Sequence, residues 1–329
     1  MNSLVRPGWW LMLALAVLGA SSALAQTTTT KVSVEVSHVV NIIGDGKIDW
    51  SQQEVRARGI GFAPKFAKTP AQITVLAREA AMVAAERNLI KVIYGVHVTS
   101  DTTVENMVLT QDTIKTSVKG LLKGAVIVSE KPYGDEGYEV VLAVNLYGDK
   151  ASIAQSIDLV GQFKAANPGA TVVPSTPKVE TPKPAEPAAP TPPAPAADPA
   201  PPAQLISAAQ PGGYTGLVID CRDLGLSRSM CPRILDQTGA NLFGTLTVSE
   251  EMVNECGIAG YYQSSDDPTL PERVGKHPIV LKALRVSGGK VFKTDVVLGP
   301  ADAEFVRAEN AKTLFLEKLN VAFLVDKDQ

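Results

Sequence analysis

The sequence predicts an α+β protein, two mixed-sheet domains joined by a disordered Pro/Ala-rich linker, from three observations. Twelve of the 23 prolines fall between Pro174 and Pro202, among alanines and a few charges, where no core can be buried. Before that stretch, Tyr138, Val140, Leu142, Val144 and Leu146 alternate as one face of a strand, while Pro70 opens and Gly95 stops a long Ala-rich helix. After it, strands and helices are again interleaved, as a second domain of the same class requires.

Taken in order, residues 1–25 carry one charge, Arg6, followed by the apolar run Trp9 to Ala20 and the small stretch Ser21 to Ala25. This reads as a secretory leader cut between Ala25 and Gln26. The run is shorter than the about 20 apolar residues of a membrane span. The first cysteine is Cys221, so no lipid-bearing cysteine follows the leader. The expectation is an exported protein of the periplasm or cell surface, neither lipid-anchored nor integral to the membrane.

Residues 26–47 form an N-terminal extension with a Thr-rich lead-in and a strand over Lys31–Val40, closed by a turn at Gly44-Asp45-Gly46. The domain over 48–163 begins with an extended segment, Ile48 to Gly61. The helix from Pro70 to about Tyr94 lacks a clean polar stripe, so it should pack closely on a sheet as scaffold. Val96 to Val104 reads as a strand, Leu109 to Leu122 as a helix, Ala125 to Ser129 as an apolar central strand, and Tyr138 to Leu146 as the last strand. The linker over 164–212 reads as a semi-rigid tether. At about 3.1 Å per residue it would hold two independent modules on the order of 100 Å apart.

In the domain over 213–329, Tyr214 to Asp220 reads as a strand, and Pro232 to Leu235 with Asn241 to Thr245 as a hairpin across the Asp236-Gln237-Thr238-Gly239 turn. Ser249 can cap a short helix ending at Gly257. Strands over Ile279–Val286 and Val291–Leu298, helix within Ala301–Leu319 and a strand at Val321–Leu324 complete it.

Particular residues of the first domain carry a resemblance: Ile48-Asp49-Trp50 through Gly59-Ile60-Gly61, Ala77-Arg78-Glu79-Ala80-Ala81 leading to Asn88-Leu89-Ile90, Gly95 to Ser100 with Thr103-Val104, then Gly120, Gly124-Ala125 and Tyr138-Glu139-Val140. Over roughly 48–148 the chain resembles the twenty-kilodalton bacterial surface lipoprotein family, whose domain is related to the N-terminal domain of flagellar assembly protein T. The resemblance implies an envelope location and an assembly or surface role, with no catalytic residues to carry over. The missing lipidation cysteine departs from the lipoprotein members. The second domain resembles an uncharacterised domain associated with that module, which adds no biochemistry.

The chemistry-bearing residues are sparse. His38, His97 and His277 are dispersed and lack a second ligand at helical spacing. Ser287-Gly288-Gly289-Lys290 fits a Ser-x-x-Lys spacing but reads as a hairpin turn. Gly44-Asp45-Gly46 and Gly59-Ile60-Gly61 lack the context of a phosphate loop. Asp266, Asp267 and Glu272 read as a solvated loop rather than a calcium loop. Asp220, Arg222 and Asp223 fall at a predicted strand end, where α/β domains place binding groups, and are the ligand-site candidates. A surface ion pair is the plainer reading of the same three residues.

No catalytic site, metal site or cofactor is expected. Cys221 and Cys231, which flank a nine-residue loop in an oxidising compartment, are the disulfide candidates and leave Cys256 odd, although spacing leaves all three pairings open. With 31 Lys and Arg interspersed among 34 Asp and Glu, nucleic acid is excluded as a partner; other envelope proteins or the cell wall remain. The expected function is that of a non-enzymatic structural or assembly protein of the bacterial envelope, possible associations being the flagellum or outer membrane. The alternative is a small-ligand or glycan-binding protein acting through the second domain.

Overall fold

Small residues decide how the first domain is built. Ala77, Ala81 and Ala85 recur every four residues and so form one stripe on a helix. Gly59 and Gly61 lie on one face of a strand. The computed structural model, which describes residues 38–148, 150–174, 213–244, 246–290 and 292–327, presses these two surfaces together. The leader expected over residues 1–25 with its expected Ala25–Gln26 cleavage, most of the expected Lys31–Val40 strand and the Pro-rich residues 175–212 lie outside the described residues.

The first domain runs β1 (Val40–Ile43), β2 (Gly46–Asp49), β3 (Glu54–Phe62), α1 (Pro70–Tyr94), α2 (Val104–Thr110), α3 (Asp112–Lys123), β4 (Val126–Tyr133), β5 (Gly137–Asn145), α4 (Ile153–Ser156), α5 (Leu159–Ala166) and β6 (Thr171–Val173). Its sheet has the order β1-β2-β3-β5-β4. Every pairing in it is antiparallel, since consecutive strands turn back as hairpins and β5 returns alongside β3.

Helix α1 starts at a capping box, in which the Thr69 hydroxyl accepts from the Gln72 amide and the Gln72 side chain closes back on Thr69. It lies on β3 so closely that a Cβ at Gly59 would stand 2.1 Å from the Ala85 nitrogen, and one at Gly61 2.1 Å from the Ala81 nitrogen. Val140, Leu142 and Val144 of β5 and the following Leu146 are buried, as their alternation predicts.

Four local expectations are corrected. The extended segment from Ile48 splits into β2 and β3 around a turn in which Gln53 takes φ 54°. Val96 to Val104 is a loop with one isolated bridge, His97 to Thr103, because its backbone pairs outside the domain instead. The helix expected over Leu109–Leu122 is two helices broken at Gln111, whose φ of −135° and ψ of 109° are extended. The strand read as central over Ala125–Ser129 is the edge strand β4, exposed along its whole length, while β5 occupies the interior position.

The second domain comprises β7 (Gly216–Asp220), β8 (Ile234–Leu235), β9 (Thr247–Ser249), α6 (Glu250–Cys256), β10 (Gly260–Tyr262), α7 (Leu270–Val274), β11 (Pro278–Lys282), β12 (Arg285–Ser287), β13 (Asp295–Val297), α8 (Pro300–Thr313) and β14 (Val321–Leu324). A four-stranded sheet in the order β10-β14-β7-β11 is parallel throughout. A smaller sheet has the order β12-β13-β8. Ser249 does stand at the N-cap of α6, but its side chain makes no capping hydrogen bond.

The two domains are not held apart. One continuous core of buried side chains runs from Val39 through Phe163 to Val325. Trp50 meets Tyr261 edge-on at 5.3 Å, and Phe163 meets Phe243 edge-on at 6.1 Å. The Met230 and Cys231 amides donate to the His97 and Val98 carbonyls at 2.9 and 2.8 Å, which is where the backbone of the Val96–Val104 loop finds its partners. Strand β6, inside the stretch assigned to the linker, pairs in parallel with β9. The Tyr147 ring lies on Gly257, whose φ of 66° and lack of a side chain both suit the contact. The physical reason is that each sheet leaves large apolar side chains that only the other domain covers.

Candidate functional site

Parallel strands carry their carboxyl ends to one edge of a sheet, and in open α/β sheets ligands bind outside that edge. All four strands of the parallel sheet contribute to such an edge here. β7 ends in Asp220 and continues to Arg222 and Asp223, β11 ends in Lys282, β14 continues into Val325, Asp326 and Lys327, and β10 is followed by Gln263. These eight residues line one cleft of about 410 Å³. Asp220, Arg222 and Asp223, the residues singled out from the sequence, are thus together in it.

Asp220 sits opposite Leu324 on one side and Lys282 on the other. Its Oδ1 accepts from the Arg222 backbone amide at 3.1 Å and from Nε at 2.9 Å, and its Oδ2 accepts from the second guanidinium nitrogen at 2.6 Å. The two-point bond to Arg222 holds the Asp220 carboxyl below its ordinary range against the opposing effect of burial, with smaller help from Lys282. Asp223 adopts φ 66°, the left-handed region that Asp tolerates better than most residues, and its amide donates to Asp326 Oδ1 at 2.9 Å. Gln263 donates to the His38 carbonyl at 2.7 Å, which ties the cleft to the first domain.

Gln263, Lys282, Asp326 and Lys327 escaped the sequence reading. Their one local signal is position, at or just past a strand end, and its meaning depends on the four strands being parallel and adjacent. The plain surface ion pair is also present, between Asp220 and Arg222; it forms one wall of the cleft.

The other sequence candidates are placed elsewhere. His38 Nδ1 lies 3.3 Å from Asp49, and the His97 ring packs on Phe292 with centroids 3.7 Å apart, its pKa lowered by burial. The His277 amide donates to the Thr215 hydroxyl. Gly288 and Gly289, in the turn after β12, press against Ser100 and Asp101, so the Ser287–Lys290 spacing serves packing. Asp267 is buried and accepts from the amide and hydroxyl of Thr269. Among the described residues, no three His, Cys, Asp or Glu side chains gather as a metal-ligand set, and no helix is long and apolar enough to cross a membrane.

The candidate disulfide is not formed. Cys221, Cys231 and Cys256 are free thiols, the first two buried. The Cys221 amide is fixed to the Leu324 carbonyl at the end of the parallel sheet, whereas that of Cys231 is fixed to Val98 of the first domain. Burial pushes both thiols up, Cys231 to about 12. Since the thiolate is the reactive form, titration of the native protein with a disulfide reagent is expected to modify the partly exposed Cys256 first. Cys221 and Cys231 should react only on unfolding. Detection of a Cys221–Cys231 peptide by mass spectrometry of the unreduced protein would contradict this.

A second charged turn contributes to the acid sensitivity of the domain. Asp236 accepts from the amides of Thr238 and Ala240, the Thr238 hydroxyl and Arg307. These bonds, led by those to Thr238 and Arg307, depress its pKa well below the ordinary range. A depressed folded-state pKa contributes stability above the ordinary carboxylate value of about 3.9, lost as the pH falls toward the folded value. Urea midpoints of the wild type and of Asp236→Asn should therefore differ most near neutrality and converge as the pH drops below about 4. A gap that is constant with pH would refute that assignment.

Fold and cleft together define an α/β domain that offers a charged pocket at the carboxyl edge of a parallel sheet. Residues 216–327 match the family described as Treponema pallidum Tp0624, second domain. The match begins at the first residue of β7, ends at the last cleft residue and covers about a third of the chain, in keeping with a distinct C-terminal domain. No curated protein matches the chain.

Proposed function

We propose that the chain is a non-enzymatic structural or assembly protein of the bacterial envelope, working in the periplasm or at the cell surface, and that it recognises its partner or ligand through the strand-end cleft. The observation that carries this reading is the convergence of Asp220, Arg222, Asp223, Gln263, Lys282 and Asp326 at one sheet edge. The leader-like residues before Gln26 support export, and the resemblance of residues 48–148 to the surface lipoprotein family supports an envelope role. The shared core supports a single recognition body rather than two modules working at different depths.

Envelope fractions incubated with the purified exported chain provide the test. The wild type should retain a defined set of envelope proteins or cell-wall material, and the double variant Asp220→Ala, Arg222→Ala should release it. Equal retention by the two, with both folded by circular dichroism, would remove the cleft from the account.

A further inference from the structure

We propose that the cleft takes a zwitterion, an amino acid or short peptide presenting an ammonium and a carboxylate together; this rests on reading the cleft as the recognition site. Among the described residues its walls carry three carboxylates, Asp220, Asp223 and Asp326, and three cations, Arg222, Lys282 and Lys327. They are not equally available. Asp220 and Arg222 satisfy one another through the two-point bond. Asp326 is engaged at both its carboxylate, by the Asp223 amide, and its carbonyl, by Arg228.

Among the described residues this leaves the Asp223 carboxylate and the Lys282 and Lys327 ammonium groups without an ion pair or side-chain hydrogen bond, facing a common space. Charge of both signs is therefore free in one concave site. A ligand with a single sign would satisfy one side and set a like charge against the other, which costs affinity. A dipolar ligand matches both, its ammonium toward Asp223 and its carboxylate toward Lys282 and Lys327.

The shape of the lining argues in the same direction. A volume of about 410 Å³ is within the range of small-molecule sites. Among the described residues no aromatic ring lines it, so they offer no stacking platform suited to a sugar ring or a base, and Val325 is the one aliphatic residue among them. Recognition must then come from charge and hydrogen bonds, with the Gln263 amide held in place by its bond to the His38 carbonyl. The left-handed Asp223 directs the turn that follows β7.

The same ammonium and carboxylate chemistry occurs on free amino acids and peptides and on peptides attached to a polymer such as the cell wall. The probes are alanylalanine, its N-acetylated form, its C-terminal amide and insoluble purified cell wall, each tested against the full exported chain by calorimetric titration or co-sedimentation. Alanylalanine should bind at least about tenfold more tightly than either blocked form, the step that one matched charge contributes. Asp223→Asn and Lys282→Gln should each remove about tenfold. Asparagine occupies the left-handed region as readily as aspartate, and Lys282 is exposed, so both variants should keep the wild-type melting temperature.

Co-sedimentation with cell wall that is lost in both variants would support the proposal and assign the ligand to the polymer. Binding of the free dipeptide alone would support it and assign the ligand to the soluble pool. Equal binding of the blocked and unblocked dipeptides, still weakened by Lys282→Gln, would overturn the zwitterion and leave the cleft as a site. Failure of all four probes would overturn the proposal, while the release test on envelope fractions would still judge the cleft by itself.

Discussion

Gly61→Val is expected to prevent the protein from folding. A Cβ at this position would stand 2.1 Å from the Ala81 nitrogen and 2.5 Å from the Ala77 carbonyl oxygen, both backbone atoms of α1. No rotamer change relieves such a contact; the helix must lift from the sheet. Gly59 is similarly placed, 2.1 Å from the Ala85 nitrogen, so lifting would open the contact along two turns of the helix. Overpacking a close-packed core costs about 1–3 kcal/mol where side chains can move. Here the obstacle is backbone, and the loss should be about 3 kcal/mol or more, a large part of the about 5–15 kcal/mol that holds a domain folded. Expression as insoluble protein, or a collapse of the urea midpoint, is the expected result. A soluble Gly61→Val protein with wild-type stability would mean that α1 does not lie on β3 as described.

Trp50→Ala is expected to destabilise both domains at once. Trp50 belongs to the turn after β2, is 5 % exposed and donates its indole N–H to Asn41 at 2.7 Å, and its ring meets Tyr261 of the second domain. Truncating a buried tryptophan costs about 3–5 kcal/mol. Because the core is continuous, the wild type should melt in one calorimetric transition, and the variant should melt in one transition at lower temperature. In a chain that begins at Gln26, without Trp9 and Trp10, tryptophan fluorescence reports on Trp50 alone and should change together with the far-ultraviolet signal. Two separate transitions, with the second domain unaffected by Trp50→Ala, would restore the picture of independent modules.

Elements whose signal is local were legible. Pro70 and Gly95 bound α1, the alternation through Tyr138 to Leu146 marks β5, and Val321–Leu324 is β14 to the residue. The lack of a clean polar stripe on α1 pointed to close packing on a sheet, whereas the part Gly59 and Gly61 play in it came only with the structure. The candidate site was half legible: Asp220, Arg222 and Asp223 could be found because a strand end is itself a local feature. By contrast, Val126 to Val128 read as interior because they are apolar, yet their side chains are 65, 39 and 44 % exposed on the edge strand. Composition reports what a residue would gain by burial, not whether a neighbour is there to bury it.

What the sequence by itself determined was the α+β class, the main helix and strands, and a second domain beginning close to β7. The tertiary structure alone decided that the domains merge into one core, that Cys221 and Cys231 are fixed to different neighbours, and that Gln263, Lys282 and Asp326 join Asp220 at one edge. The reason is physical: periodicity along a chain records one buried face of each element, whereas the pairing of faces and the order of parallel strands depend on contacts between residues distant in sequence, such as Trp50 with Tyr261 and Asp220 with Lys282.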